Sequence, residues 1–176
     1  LSEEEIISTV VLLLNAGHEA TVNTLGNGIT ALLEHPDQWR RVVAGEVDLA
    51  TAPEELFRFD APLQLFERWV LSEEYTVAGH TFKQGEKIAM LFGSANRDPR
   101  RWENPDVFNI GRGDSGHVTF GSGLHHCIGA PLARLEVATV LERLAARFPH
   151  AALRAEPVRH PTFVIHGYER VDIALR

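Results

Sequence analysis

The chain has 176 residues, 44% of them hydrophobic, enough to bury one core, and its 17 Lys plus Arg against 24 Asp plus Glu leave a net charge of −7 that argues against a nucleic-acid partner. A single cysteine excludes an internal disulfide framework and fits a reducing cytosol. The longest wholly apolar run, Val10 to Leu14, is far short of a membrane span and no charged-then-apolar leader opens the chain, so a soluble, cytoplasmic protein with no membrane partner is expected.

The first predicted element is one long helix over 2–34. Ser2 and Glu5 have capping-box spacing, and no proline interrupts before Pro36. Its middle carries Asn15, Gly17, His18, Glu19, Thr21 and Asn23, where a core helix is normally apolar, and that break in pattern points to function. A shorter helix follows from Pro36 to near Gly45. A third is predicted over 52–60, with Thr51 and Glu54 as a second capping box and Pro53 in the first turn, which puts Glu55 and Arg58 one turn apart on a shared face. A small β region over 63–92 follows, with strands at Leu63–Leu71, Tyr75–Val77, His80–Phe82 and Lys87–Phe92 and turns at Gly79 and Gly85. Residues 96–116 read as an ordered loop, 118–129 as a cysteine loop, and 131–148 as the final helix, with Leu135, Ala138, Leu141, Ala145 and Phe148 as its buried stripe. Short strands are expected over 157–176. The sum is a mainly α fold with small β-sheets (α+β), forming a single partial domain over 1–176.

Cys127 is the candidate chemical centre. It lies in Phe120-Gly121-Ser122-Gly123-Leu124-His125-His126-Cys127-Ile128-Gly129, just before a helix, where unpaired N–H groups and the helix dipole stabilise a thiolate. A phosphatase loop needs an arginine six positions after the cysteine, and Arg134 is one residue too late. Zinc needs about four Cys or His ligands, and only His125 and His126 are near. Axial ligation of haem iron needs one thiolate, a glycine-lined loop and cationic partners for the propionates, and this run supplies the first two. Other motifs fail on spacing. His18-Glu19 lacks the second zincin histidine, since Val22 stands there; Gly26-Asn27-Gly28 lacks the third glycine of a dinucleotide loop; Arg112-Gly113-Asp114 spells an adhesion tripeptide by chance.

The pattern Phe-Gly-x-Gly-x-x-x-Cys-x-Gly, continued by Ala130-Pro131-Leu132-Ala133-Arg134-Leu135-Glu136, resembles the haem-binding loop and following helix of the cytochrome P450 family. Three further segments agree in order. Ala16-Gly17-His18-Glu19-Ala20-Thr21 resembles the oxygen-binding groove of the family's long central helix, Glu55-Leu56-Phe57-Arg58 its Glu-x-x-Arg motif, and Ala95-Asn96-Arg97-Asp98-Pro99 the stretch before its meander loop. The resemblance covers nearly the whole chain but only the C-terminal, haem-binding half of such an enzyme.

That resemblance implies a bacterial soluble haem-thiolate monooxygenase that inserts one atom of O2 into a small organic substrate. Haem b is the implied cofactor and a separate ferredoxin or flavodoxin-like protein the electron donor, with the missing N-terminal half as a further partner. Cys127 becomes the iron ligand, Arg68 and His125 the propionate partners, and Phe120, Gly121, Gly129 and Ala16 further cofactor contacts. Gly17, Glu19, Ala20 and Thr21 take the catalytic positions: Gly17 leaves room, Glu19 helps to deliver protons, and Ala20 stands where the family often has threonine, leaving proton delivery to water, a substrate hydroxyl or Thr21 on a locally distorted helix. Glu55 and Arg58 are a structural ion pair whose usual third member aligns with Val107, so Arg112 is the candidate to replace it. Arg134, Arg143 and Arg112 with the histidines near Cys127 form a candidate docking patch, and His117 and His126 otherwise read as surface residues. Two other functions stay open: a haem-binding module or subunit without turnover, and a cysteine-dependent hydrolase.

Overall fold

The computed structural model describes residues 1–176. Helix α1 (Glu3–Glu34) opens on the capping box, with the Glu5 N–H donating to Ser2 Oγ at 3.2 Å and the Ser2 N–H to Glu5 Oε2 at 2.7 Å. It stops at His35 because Pro36 disfavours helical geometry in the residue before it, and the same proline opens α2 (Pro36–Val43). The first eighteen residues of α1, Glu3 to Ala20, are all exposed, including Ile6, Val10 and Leu14, whereas Thr24, Asn27, Gly28 and Thr30–Leu33 are buried. At Gly28 a Cβ would lie 3.0 Å from Leu56 Cδ1, so the absence of a side chain sets the approach of α1 to α3 (Ala52–Phe59).

Helix α3 is the centre of the fold, with Ala52 to Arg58 buried on every side. Its expected Thr51–Glu54 capping box does not form. Thr51 makes no capping bond, and the Glu54 side chain turns inward to His117 and Arg134 instead. Two antiparallel pairs follow: β1 (Leu65–Trp69) pairs with β4 (Lys87–Leu91), and between them in the chain β2 (Glu74–Val77) and β3 (His80–Lys83) form a hairpin. Strand β1 is shorter than the predicted 63–71, with Leu63 making an isolated bridge to Ile165, and Phe92 opens the short α4 (Phe92–Ala95) instead of ending β4.

Residues 96–116 contain no helix or strand, yet Asn96, Trp102, Phe108 and Ile110 are buried along them. A 3-10 turn at Gly123–His125 precedes α5 (Ala130–Arg147). Of the predicted stripe of α5, Leu141 is buried and Ala145 and Phe148 pack against the core, but Leu135 lies outside it. Val137 and Leu141 face the core, with Ala133, Leu144 and Phe148 half-buried beside them, while Leu135 is 64% exposed. The helix is apolar on two faces, and Leu132 and Leu135 belong to the second, with Leu124 and Ile128 also exposed before it. The C-terminal strands begin earlier than expected, at β5 (Ala152–Leu153), which pairs with β8 (Ile173–Ala174); β6 (Val158–Arg159) pairs with β7 (Tyr168–Arg170). The core joins the C-terminal part of α1 to α2, α3, α5 and Phe108–Ile110. No helix is long and apolar enough to cross a membrane.

Candidate cofactor site

Two adjacent carboxylates on α3 organise everything around the cysteine loop. Glu55 accepts two bonds from Arg58, Nε to Oε2 at 2.7 Å and Nη2 to Oε1 at 2.9 Å, with both side chains fully buried. Arg112 Nε donates to Glu55 Oε2 at 3.1 Å and the Asn109 N–H to Oε1 at 2.9 Å, so Arg112 occupies the place that Val107 leaves open. The remaining donors of Arg58 reach the carbonyls of Asn96 and Pro105, tying 96–112 to α3. A planar guanidinium with five donors suits such a junction; an ammonium does not.

Glu54 faces the opposite way. Its Oε2 accepts from His117 Nε2 at 3.0 Å, and Arg134 donates through Nε to Oε1 at 2.6 Å and through Nη2 to Oε2 at 3.1 Å. Burial pushes this carboxyl up, but the bonds from His117 and Arg134 outweigh it and hold Glu54 at about 2. The Arg134 guanidinium is correspondingly raised, first by Glu54 and in smaller part by the negative charge of a Cys127 thiolate. Two readings from sequence are corrected here. His117 is not a surface histidine, since its side chain is fully buried; and Arg112 and Arg134 are not free docking cations, since Glu55 and Glu54 bind them.

The run 117–120 is pinned to the same helix. The Thr119 hydroxyl donates to the Phe57 carbonyl at 2.7 Å, and Asn96 takes the Val118 N–H on Oδ1 while its Nδ2 donates to Thr119 Oγ1. The Phe120 ring packs on Phe57 at 4.7 Å between centroids, and its carbonyl accepts the Cys127 N–H at 2.9 Å. Gly121 and Gly123 hold φ of +68° and +66°, a region that excludes most side chains and lets the loop double back so that Cys127 lies near the start of α5. A Cβ on Gly129 would lie 3.8 Å from Cys127 Sγ. The thiol is exposed, with Leu124 and Ile128 standing almost fully clear of the protein beside it in sequence. Neither His125 nor His126 bonds to it, and no group of three or more His, Cys, Asp or Glu side chains converges anywhere in the chain.

The other candidate residues lie on separate elements. Arg68 is on β1, its guanidinium 4.1 Å from the Phe66 ring and one donor on the Glu67 carbonyl, with no carboxylate partner. Ala16, Gly17, Glu19 and Ala20 are on the exposed half of α1, and Thr21 is half-buried. The helix is unbroken there, so Thr21 lies about 100° around the axis from Ala20 and does not share its face; the distortion that would let it substitute is not present. Outside the backbone of its own helical turns, nothing comes within 4 Å of a Cβ built on Gly17, so no packing partner within this chain requires a glycine there. This donor set fits a flat, apolar group with anionic edges and one soft-ligand position: a lone accessible thiol, apolar side chains around it, and an arginine without a carboxylate.

The family model for cytochrome P450 matches residues 49–166, about two thirds of the sequence. The chain belongs to the cytochrome P450 family. It is 44% identical over 158 residues to the polyketide biosynthesis cytochrome P450 PksS of Bacillus subtilis (strain 168), a match that covers 89% of this chain and 39% of that protein. It is 41% identical over 174 residues to the biotin biosynthesis cytochrome P450 of the same organism, covering 98% of this chain and 44% of the relative. Among solved structures, P450BioI in complex with hexadec-9Z-enoic acid ligated acyl carrier protein superposes with a TM-score of 0.94 at 39% identity, covering all of this chain and 46% of that one. The chain thus spans about two fifths of the length of these curated relatives, and its mixture of helices and small sheets is part of the cytochrome P450 fold.

Within this P450 chain, sequence reasoning missed Glu54 and His117 as members of the site. The available signal was the second acid of Glu54-Glu55 on a helix buried on every side, since a buried carboxylate needs partners; spacing alone credited it to a cap.

Proposed function

We propose that this chain is the cysteine-bearing, C-terminal part of a haem-thiolate monooxygenase that inserts one oxygen atom from O2 into a small organic substrate, fed by a separate ferredoxin or flavodoxin-like donor. The observation that carries the proposal is the single exposed thiol of Cys127, on a loop bent by two left-handed glycines and rooted on α3, in a chain of this family. Bound through a thiolate, haem b supplies the activation of O2, because the sulfur pushes electron density towards iron and favours cleavage of the O–O bond.

The chain's own residues do the rest. Cys127 supplies the sulfur, and the Phe120 carbonyl fixes its backbone N–H. Arg68 and His125 would hold the propionates, and Phe120, Gly121, Gly129 and Ala16 would line the place of the macrocycle. Gly17 leaves a gap in the face of α1 and Glu19 provides the acid that passes protons inward; Ala20 adds no hydroxyl, so water or a substrate hydroxyl carries the last transfer. The Glu55–Arg58–Arg112 network holds the 96–112 loop and does no chemistry.

The test is the absorption spectrum of the haem-loaded protein after dithionite and carbon monoxide. The expected result is the strongly red-shifted Soret band of thiolate ligation, lost in Cys127→Ser; a histidine-type band, or a spectrum indifferent to Cys127→Ser, refutes the assignment. The hydrolase reading gains nothing from the structure, since no histidine bonds to Cys127 Sγ. A haem-binding module without turnover shares the same spectrum and differs in forming no oxygenated product.

A further inference from the structure

The cysteine loop is closed by a residue outside it. His117 lies ten positions before Cys127 and Arg134 seven after, and both bond to the one carboxylate of Glu54. His117 Nε2 lies 3.0 Å from Glu54 Oε2, and its Nδ1 accepts the Thr119 N–H at 3.3 Å, so the ring ties the first stem of the loop to that carboxylate. Arg134 in turn lies 4.6 Å from the centroid of the Phe120 ring, and the Phe120 carbonyl holds the Cys127 N–H. Two residues, Arg134 and Phe120, separate the carboxylate from the cysteine backbone.

A loop with three glycines has much conformational freedom to lose, and its closure has to be stabilised from its ends. The neighbouring Glu55 network bonds directly only to the 96–112 segment; it meets the first stem at one remove, through Asn96, and does not bond to the second. Glu54, His117 and Arg134 are the side-chain bonds that join both stems to one point on α3.

We propose that Glu54 is a positioning residue for Cys127: a clamp that closes both stems of the cysteine loop with one carboxylate and transmits that constraint to the cysteine through Arg134 and Phe120, a route that does not pass through the Glu55–Arg58–Arg112 network. The inference rests on the reading of Cys127 as the haem ligand, and it adds a support for that ligand which acts through the loop and not on the iron.

The test uses the haem-loaded protein and three readouts other than turnover: the rate of haem transfer to excess apomyoglobin, the reduction potential, and amide hydrogen exchange over 121–129. Glu54→Gln and Arg134→Gln are expected to speed haem loss by about tenfold or more, shift the potential, and raise exchange in 121–129 while 96–112 stays protected. Arg134→Lys, which keeps the charge but not the paired bonds, falls between them and the parent. Arg112→Gln is the comparison, loosening 96–112 and leaving haem transfer within about twofold. If the parent protein shows no thiolate spectrum, the ligand assignment itself fails, and the clamp with it. A parent with a thiolate spectrum whose Glu54→Gln and Arg134→Gln forms match it in all three readouts overturns the clamp alone. Where Glu54→Gln does not fold, Arg134→Lys and His117→Asn decide by the same criteria.

Discussion

Replacing Arg58 with methionine removes four bonds at one point in the interior. Arg58 and Glu55 are both inaccessible to solvent, so the carboxylate left behind cannot recruit water. It keeps Arg112 and the Asn109 N–H, which places its cost at the lower end of the range for a broken buried ion pair, about 3 kcal/mol. The carbonyls of Asn96 and Pro105 lose their arginine donors as well, each worth about 1 kcal/mol or more when left unpaired. The sum, about 5 kcal/mol, equals the whole stability of a weak domain. Arg112→Gln is the internal control. Arg112 is partly exposed and bonds to carbonyls of Glu103, Asn104 and Val107, residues open to water, so about 1–2 kcal/mol is expected. Equilibrium denaturation in urea, followed by far-ultraviolet circular dichroism, measures both. Arg58→Met costing less than about 2 kcal/mol, or Arg112→Gln costing as much as Arg58→Met, refutes the view that buried, multiply bonded guanidinium makes Arg58 the stronger member.

Further outcomes follow from other parts of the structure. Glu54 is held at about 2 against an ordinary value of 4.5, so between those pH values the unfolded chain binds more protons than the folded one; stability present above pH 4.5 is lost as pH falls through 2, by up to about 3 kcal/mol, and Glu54→Gln flattens that acid limb in a denaturation series. An unchanged acid limb in Glu54→Gln refutes this. Gly28→Ala presses a Cβ against buried Leu56 and lowers the melting temperature, whereas Gly26→Ala, with nothing within 4 Å, stabilises the helix by about 1 kcal/mol; equal signs in a thermal melt would sink the packing argument. Ala20→Thr in the complete enzyme lowers the fraction of electrons lost as hydrogen peroxide, measured as peroxide formed per reduced cofactor consumed, and unchanged or worse coupling counts against the role given to that position.

Helix boundaries were legible where local chemistry decides them. Ser2 with Glu5 starts α1 and His35-Pro36 ends it, both through interactions within four residues. The stripe of α5 was legible only in part: Leu141, Ala145 and Phe148 face the core as expected, but Leu132, Leu135 and Val137 are equally apolar and only tertiary contacts distinguish the face that meets α1–α3 from the face that stays open. Strand β5 escaped notice for a related reason: two residues carry no period, and Ala152–Leu153 becomes a strand only because Ile173–Ala174 lies opposite. The cysteine loop was readable as a pattern because glycines at positive φ leave few substitutes, and Gly121 and Gly123 both adopt that region.

The supports of that loop were only half readable, and the pair Glu54-Glu55 shows why. Glu55 and Arg58 are three apart on one helix, so their contact follows from helical geometry. Glu54 meets partners 63 and 80 residues away, which no local spacing reveals. Two neighbouring side chains on a helix point about 100° apart, and on a helix buried all round both directions lead into protein. Each carboxylate then needs its own cation, and the chain provides them from opposite sides: Arg58 and Arg112 for Glu55, Arg134 for Glu54. The physical consequence is a division of labour along a single turn, with Glu55 fixing the 96–112 loop and Glu54 the stems of the cysteine loop. A substitution at either acid therefore releases a different segment, even though the two are adjacent in sequence.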